Sequence, residues 1–262
     1  MNFFTSNGAR LAYRVDGPDD APTLVLINSL GTNMHMWDSQ VAQLSNTLHI
    51  VRYDSRGHGS SDVPAGPYTL EQLGHDLLAL LDTLQIEQTH ICGLSLGGIV
   101  GLWFAVTYPD RVARAVFANT AARIGTTDGW DARIDAVTTG GMATIRDAVV
   151  GRFLSAKFRE HNPEMTQQIS NMLEATHPVG YSGACAALRD ADLRAVVKTI
   201  HTPSLIIAGA LDESTPPSQA QGLHAAITGS QLTVFDEVAH LSNVERPKEF
   251  SEYVLNFLTH AS

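Results

Sequence analysis

One serine of this sequence has the surroundings of a nucleophile. Ser95 is the centre of a Gly-x-Ser-x-Gly pattern at residues 93–97, which follows a short strand-like run and precedes a helical pattern. In such an elbow the serine lies on a strained strand-to-helix turn, and the residues two before and two after it must lack side chains so that the backbones can pass closely. Gly93 and Gly97 meet this requirement. The alternative, a serine that only caps a helix at a glycine-rich strand end, is less favoured once its downstream partners are included.

A serine hydroxyl is a weak nucleophile until a histidine, oriented by a carboxylate, takes its proton. Asp212 and His240 are the candidates, because each follows a strand-like run downstream of Ser95. They would leave neighbouring strands at one edge of the sheet, where ligands bind in open α/β sheets. Two other acids compete for the carboxylate role: Asp236, which lies on the same segment as His240, and Glu213, which neighbours Asp212.

The tetrahedral intermediate of such chemistry needs two backbone N–H donors for its oxyanion. We expect one from Leu96, directly after the serine, and the other from Leu30, in the loop 28–32 after the first strand-like run. Because the donor is main chain, the Leu30 side chain is free to form part of a pocket wall. The loop 52–60, after the next strand, is interpreted as structural, with charged side chains that brace its neighbours.

The elements that must position these residues begin with a hairpin. An Asn7-Gly8 pair between two extended pieces predicts a tight antiparallel turn. Later apolar runs, too short for helices, are interpreted as strands buried on both faces, at 23–27, 49–53, 90–93, 112–118, 204–208 and 231–235. Leucines at helical spacing predict a helix from Leu70 to Leu84. A hairpin followed by strand–helix units implies an α/β fold with a mostly parallel central sheet.

Residues 121–198 break this rhythm. They contain no strand-like run and indicate several helices, with breaks at 140–141, 163 and 178–180. We interpret them as a helical cap inserted between two strands of a core formed by 1–120 and 199–262. The cap holds nine basic and nine acidic residues, so the net charge of −10 comes from the core. The cap is therefore the more favourable side for an anionic ligand.

Composition excludes several classes of protein. A chain of 262 residues with 44% hydrophobic residues is not disordered, and its net charge of −10 argues against nucleic acid or an anionic membrane as a partner. The longest apolar segment, 97–106, is about half of a membrane span. Cys92 and Cys185 form no disulfide framework and no paired metal-ligand spacing, so we expect a cytoplasmic protein without a metal site. Nothing in the sequence indicates an oligomeric state.

The chain resembles the α/β-hydrolases over essentially its whole length. Within that superfamily it is most similar to the 3-oxoadipate enol-lactonases of the bacterial β-ketoadipate pathway. The passages that carry the closer resemblance are 27–31, 52–59, 93–98, 119–125, 185–194 and 239–247. The loop Asn-Ser-Leu-Gly at 28–31 and the cap sequence Leu-Arg-Asp-Ala-Asp-Leu-Arg at 188–194 are the more discriminating ones, because the nucleophile and base passages are common to the superfamily.

The resemblance implies the α/β-hydrolase fold and the opening of a small anionic enol-lactone to give 3-oxoadipate. Ser95 would attack the lactone carbonyl with His240 as base, and Asp212 would orient and stabilise the imidazolium. The Leu30 and Leu96 amides would hold the oxyanion. The released enol becomes a ketone, and water then frees the enzyme through the same base. No metal and no organic cofactor is implied.

Rival functions share most of these residues. A general carboxylesterase, a carbon–carbon bond hydrolase or a cofactor-free perhydrolase would use the same triad and differ in the cap and pocket. A non-enzymatic receptor of the same fold would bind a small lactone and signal by cap movement. A dehalogenase or epoxide hydrolase of this fold needs an aspartate nucleophile, which Ser95 excludes.

An anionic substrate needs a cation or a cluster of N–H donors, because a desolvated carboxylate without a partner is costly. Trp130 and Arg133 are the candidates, since a spacing of three on a helix places both side chains on one face. A guanidinium donates two parallel hydrogen bonds to a carboxylate. The alternative is that Arg133 pairs with an acid at the cap surface, in which case Arg123, Arg189 or backbone donors would bind the substrate.

Overall fold

The computed structural model describes residues 1–259. Its strands are β1 (Asn2–Ser6), β2 (Ala9–Asp16), β3 (Thr23–Ile27), β4 (His49–Tyr53), β5 (Thr89–Leu94), β6 (Val112–Ala118), β7 (Ser204–Gly209) and β8 (Gln231–Phe235). Its α-helices are α1 (Asp38–Leu44), α2 (Leu70–Thr83), α3 (Leu96–Thr107), α4 (Thr127–Gly140), α5 (Arg146–Phe153), α6 (Ala156–His161), α7 (Pro163–Ala175), α8 (Pro178–Asp190), α9 (Pro217–Ala226), α10 (Ser242–Glu245) and α11 (Pro247–Thr259). In this described part, no helix is long and apolar enough to span a membrane.

All eight strands form one sheet in the order β1-β2-β4-β3-β5-β6-β7-β8. The strands β1 and β2 form the predicted antiparallel hairpin, in which Asn7 and Gly8 both take positive φ angles. The strand β2 also pairs antiparallel with β4, and the pairs from β4 to β8 are all parallel. The prediction of a mostly parallel sheet with an N-terminal hairpin is therefore confirmed.

The interpretation of every strand as buried on both faces is wrong for β8. In β8 only Phe235 is buried, and Val234 is 38% exposed. The reason is topological, because β8 lies at the sheet edge and has a neighbour on one side only. The strand β7, which has a neighbour on each side, is buried along its whole length. Burial thus follows the place of a strand in the sheet, which its local sequence does not state.

The helices α4 to α8 occupy the segment between β6 and β7, which is called the cap segment below (residues 121–198). The predicted break at 140–141 ends α4, and Pro163 begins α7. Pro178 begins α8 rather than interrupting a helix, so this break lies just before it. The helices α4 and α8 pack against each other. The division of the chain into a core and a cap domain stays a prediction, and residues 260–262 of the predicted core lie outside the described part.

The loop 52–60 after β4 holds its neighbours through buried charges. Asp54 accepts hydrogen bonds from the Met34 amide at 2.7 Å and the Ser60 amide at 2.8 Å. Arg56 forms a bidentate ion pair with Asp76 of α2, at 2.6 and 2.5 Å, and both side chains are 1% exposed. Because removing one partner would leave a buried charge without compensation, this pair fixes the loop against α2.

The same loop fixes the segment after β3 through a histidine. The His58 ring is 2% exposed. Its Nε2 accepts a hydrogen bond from the Gly31 amide at 3.0 Å, and its Nδ1 donates to the Arg56 carbonyl at 3.1 Å. Burial lowers the pKa of His58 to about 4, although the hydrogen bond to Arg56 acts in the opposite direction. A neutral imidazole therefore holds the residue next to Leu30.

Because His58 is buried in its neutral form, we expect the wild type to lose stability in acid. His58→Asn should lack this part of the loss. Between the folded pKa of about 4 and the unfolded value of about 6.5, the unfolded chain binds a proton that the folded chain does not. The folded state therefore loses stability as the pH falls. We expect the unfolding free energy of the wild type, relative to His58→Asn, to fall by about 2 kcal/mol from about pH 7 to about pH 5, measured by urea denaturation.

The matched control is His224→Asn, which changes an exposed histidine of α9. A fall of about 2 kcal/mol relative to this variant as well would show that the effect is not specific to His58. If the unfolding free energy of the wild type did not fall relative to that of His58→Asn on acidification, His58 would not be held neutral by burial.

Candidate active site

Ser95 lies on the strand-to-helix turn that its sequence context predicts, between β5 and α3. Its backbone is at φ 57° and ψ −113°, a strained conformation for a residue with a side chain. A Cβ on Gly93 would lie 2.1 Å from the Gly97 carbonyl oxygen, and one on Gly97 would lie 2.1 Å from the Ile27 carbonyl oxygen. The turn therefore requires both glycines, and Ser95 is 6% exposed at its apex.

The structure brings Asp212 and His240 together from the loops after β7 and β8. The Asp212 Oδ2 atom lies 2.8 Å from His240 Nδ1, and both residues are buried. This contact assigns the proton to Nδ1 and leaves Nε2 as the nitrogen that can accept a proton from a serine. The competing acids do not take this place: Glu213 is exposed, and no hydrogen bond joins Asp236 to His240 within residues 1–259.

Four further hydrogen bonds surround the Asp212 carboxylate. The amides of Ser214 and Thr215 donate to Oδ1 at 2.8 and 3.0 Å. The Thr215 hydroxyl donates to Oδ2 at 2.7 Å, and the Asn119 amide group donates to Oδ2 at 3.0 Å. Burial alone would raise the pKa of Asp212, but the charge of His240 and these hydrogen bonds outweigh it and lower the pKa to about 2. The hydrogen bonds and the neighbouring imidazole thus favour the ionised form of the carboxylate.

Of the two residues predicted as oxyanion donors, Leu96 follows Ser95 directly in the chain, and Leu30 lines the same cavity as Ser95. Leu96 is the first residue of α3, where an amide has no acceptor within its own helix. In the loop after β3, the Ser29 amide donates to Met36 Sδ and the Gly31 amide donates to His58. The Leu30 amide between them has no acceptor in residues 1–259. The hydrogen bonds of Ser29 and Gly31 thus fix the backbone on both sides of Leu30, and the Leu30 amide is able to donate to a ligand.

A cavity of about 290 Å³ joins these groups to the cap segment. It is lined by Ser29, Leu30, Ser95, Ile124, Gly125, Thr126, Gly129, Trp130, Arg133, Arg152, Phe153, Tyr181, Leu188, Glu213, Ser214 and His240. Larger cavities of about 430, 440, 520 and 620 Å³ lie elsewhere, but neither Ser95 nor His240 lines any of these four. The reacting groups therefore face a small space that is covered by cap helices.

Trp130 and Arg133 line this cavity from α4, on one face as their spacing predicts. The Trp130 Nε1 donates to the Ile124 carbonyl at 2.7 Å, and the Arg133 guanidinium lies 5.2 Å from the Trp130 ring centroid. Arg133 also approaches the Tyr181 hydroxyl at 3.5 Å. No carboxylate of the described residues lies within 4.0 Å of Arg133, so the alternative of an ion pair at the cap surface is wrong.

The other arginines considered for the substrate are already occupied. Arg123 lies 3.6 Å from Asp192. Arg189 pairs with Asp131 at 2.9 Å and with Asp190 at 2.8 Å. Neither of them lines the cavity that contains Ser95. Both arginines therefore pair with carboxylates of the cap segment itself.

Sequence reasoning missed the residues that bring the cap segment to the base. The Phe153 ring stacks on the His240 ring, with centroids 5.6 Å apart. The Glu245 carboxylate accepts hydrogen bonds from the Ala239 amide at 2.8 Å and from the Ser155 hydroxyl at 2.5 Å. Arg152, beside Phe153, was missed as well. The bond between Ala239 and Glu245 is local. The contacts of Phe153 with His240 and of Ser155 with Glu245 join residues at least eighty positions apart, so no local pattern reveals them.

Groups that could hold a metal are not found in the described part of the chain. Residues 1–259 contain no cluster of three or more histidine, cysteine, aspartate or glutamate side chains with metal-binding geometry. Both cysteines are buried, and burial raises the pKa of each thiol.

Comparisons with known proteins agree with this geometry. A family model described as the alpha/beta hydrolase fold matches residues 22–247. The chain is 41% identical to 3-oxoadipate enol-lactonase 2 of Acinetobacter baylyi, covering 95% of this chain and 93% of that protein. It is 40% identical to 3-oxoadipate enol-lactonase 1 of the same organism, covering 96% and 94%.

A solved structure is similar over the same length. The crystal structure of the enol-lactonase from Burkholderia xenovorans LB400 superposes with a TM-score of 0.97 at 41% sequence identity, covering 99% of this chain and 100% of that one. The match of the family model to most of the chain, together with relatives of 40% and 41% identity over nearly all of it, shows that the chain belongs to the α/β-hydrolase family.

Proposed function

We propose that this protein is a serine hydrolase that opens the lactone ring of 3-oxoadipate enol-lactone to give 3-oxoadipate, a step of the bacterial β-ketoadipate pathway. The observation that carries the proposal is the similarity to two enol-lactonases along nearly the whole of each chain. The small cavity that joins Ser95 and His240 to an unpaired arginine supports it, because the substrate is a small anion. The cytoplasmic location expected from the sequence stays a prediction.

In this mechanism Ser95 Oγ attacks the lactone carbonyl while His240 Nε2 takes the serine proton. Asp212 holds the opposite ring nitrogen and stabilises the imidazolium that forms. The amides of Leu30 and Leu96 donate to the oxyanion of the tetrahedral intermediate. These donors are fixed before the substrate arrives, so no reorganisation is needed when the charge develops.

Collapse of the intermediate breaks the ring C–O bond and leaves the acyl group on Ser95. His240 returns its proton to the leaving enol oxygen, and the enol becomes a ketone. Because an enolate is more stable than an alkoxide, this departure is easier than in an ordinary ester. Water then attacks the acyl carbon with His240 as base, which releases a second carboxylate and restores the serine.

Arg133 and Trp130 are the groups that we propose for the substrate carboxylate. Arg133 has no carboxylate partner of its own, and the Trp130 ring fixes the place of its guanidinium. A guanidinium stacked on an aromatic ring keeps its N–H donors free at the ring edge. An incoming carboxylate can therefore be bound without breaking an existing ion pair.

Replacement of the nucleophile is the first test. Ser95→Ala should lower kcat by about 10⁴-fold or more, because the members of a triad act as a unit, while the unfolding temperature stays close to that of the wild type. Turnover is followed as the loss of the ultraviolet absorbance of the enol-lactone, beside p-nitrophenyl acetate. A variant that kept a tenth of the activity would disprove the mechanism, and a wild type that preferred the acetate ester would be a general esterase.

The acid is tested by three single substitutions. Asp212→Asn should lower kcat by about 10³-fold or more with less effect on KM, because the imidazole loses its orientation and its counter-charge. Glu213→Gln and Asp236→Asn serve as matched controls and should stay within a few-fold of the wild type. Greater damage from either control would transfer the role of the acid to that residue.

The carboxylate site is tested with a pair of substrates. Arg133→Gln should lower kcat/KM by about tenfold or more for the anionic lactone and leave an uncharged lactone of similar size unaffected, since only the anion loses a charge-assisted hydrogen bond. Arg189→Gln is the matched control, because it removes the same charge from a paired arginine of the cap segment. Equal losses on both substrates would show that Arg133 is structural.

A further inference from the structure

A second arginine in the cavity has no partner. Arg152 is the penultimate residue of α5, is partly buried and lines the same cavity as Ser95 and Arg133. Within residues 1–259 its guanidinium donates no hydrogen bond, and no carboxylate lies within 4.0 Å of it. Arg146, on the same helix, contrasts with it by pairing with Asp147 at 2.8 Å and with Glu174 at 3.2 Å.

The place of Arg152 is fixed relative to the base. The next residue, Phe153, stacks on the His240 ring, and its carbonyl accepts a hydrogen bond from the Leu241 amide at 2.9 Å. Arg152 therefore approaches the cavity from the segment that contacts His240. Arg133 approaches it from α4, beside Trp130 and Tyr181. The two guanidinium groups thus belong to different walls of one small space.

Two unpaired cations in a cavity of about 290 Å³ are costly without a ligand. Burial lowers the pKa of Arg152, and the charge of Arg133 lowers it further, whereas Glu213 and Tyr181 act in the opposite direction. Glu213 is exposed, and its contact with water screens its charge. Glu213 also lines the cavity, but within residues 1–259 neither guanidinium has a carboxylate within 4.0 Å.

The proposed reaction creates a second negative charge in this space. The lactone substrate has one carboxylate, and addition of water across the acyl C–O bond gives a dicarboxylate and one proton. We propose that the cavity is a dicarboxylate site in which Arg133 binds the carboxylate already present in the substrate and Arg152 binds the one formed at the Ser95 acyl carbon. This inference rests on the proposed function and adds that dicarboxylates of the length of the product inhibit the enzyme.

Equilibrium binding to the wild-type protein tests the proposal without any turnover. The probes are adipate, which has two carboxylates, and adipic acid monoamide, which has the same length and one carboxylate. Isothermal titration calorimetry should show adipate binding about tenfold or more tightly than the monoamide, as expected for one additional charge-assisted pair. Arg152→Gln should reduce this ratio to about twofold or less, mainly by weakening the binding of adipate.

Two further variants make the result specific. Arg152→Lys keeps the charge and should restore part of the ratio, whereas a loss caused by misfolding would not be restored. Arg146→Gln removes one positive charge from the same helix outside the cavity and should leave the ratio unchanged. Each variant is compared with the wild type by its unfolding temperature.

Three results would overturn the dicarboxylate site: equal affinities of the two probes for the wild type, equal losses of both in Arg152→Gln, or the same loss of ratio in Arg146→Gln. The proposed function fails separately. If the wild type preferred adipate through Arg152 but left the enol-lactone intact, the anion site would stand and the lactonase proposal would be wrong. If the wild type hydrolysed the lactone without preferring adipate, the lactonase proposal would stand and the dicarboxylate site would be wrong.

Discussion

The carboxylate of Asp212 organises one side of the active site, because it is a buried charge that must be compensated. It accepts five hydrogen bonds, from groups in the loops after β6, β7 and β8. Asn119 takes a positive φ of 45° to reach it, and the Asn119 side chain in turn accepts a hydrogen bond from Ser242 at 2.5 Å. The Asp212 carboxylate thus holds the three loops together, and His240 is one of its hydrogen-bond donors.

The other side of the site depends on close approaches of the backbone at glycines, where a larger side chain would not fit. Gly97, two residues after Ser95, passes close to the Ile27 carbonyl at the end of β3, and the segment after β3 is in turn fixed by His58. A Cβ on Gly31 would lie 2.5 Å from Leu173 of α7. The segment after β3 is therefore enclosed between the loop 52–60 and the cap segment, so its geometry depends on both.

The chemistry of the site was predictable because its residues are local to strand ends. The Gly-x-Ser-x-Gly pattern carries its own strand and helix, and Asp212 and His240 follow two strands whose apolar runs are visible in the sequence. For Arg133 the sequence left two interpretations open, a place beside Trp130 in the pocket or an ion pair at the cap surface, and the structure decided between them. The exposure of β8 and the role of Arg152 were not predictable in this way, because the first follows from the order of strands in the sheet and the second from the contact of α5 with the His240 loop.

The cap segment also bears on how such enzymes change during evolution. It lies between β6 and β7, which are adjacent parallel strands, and a parallel pair always requires a crossover connection. The cap helices are thus an enlarged form of a link that the sheet needs anyway, and the entropy of closing a longer link grows only slowly with its length. Insertions, deletions and exchanged helices in this segment can alter which molecule is accepted while the register of the sheet stays as it is, provided that the contacts of Phe153 with His240 and of Ser155 with Glu245 are kept. A change of substrate range is therefore open to the cap residues that line the cavity, whereas the cap residues that contact the His240 loop are constrained by the site itself.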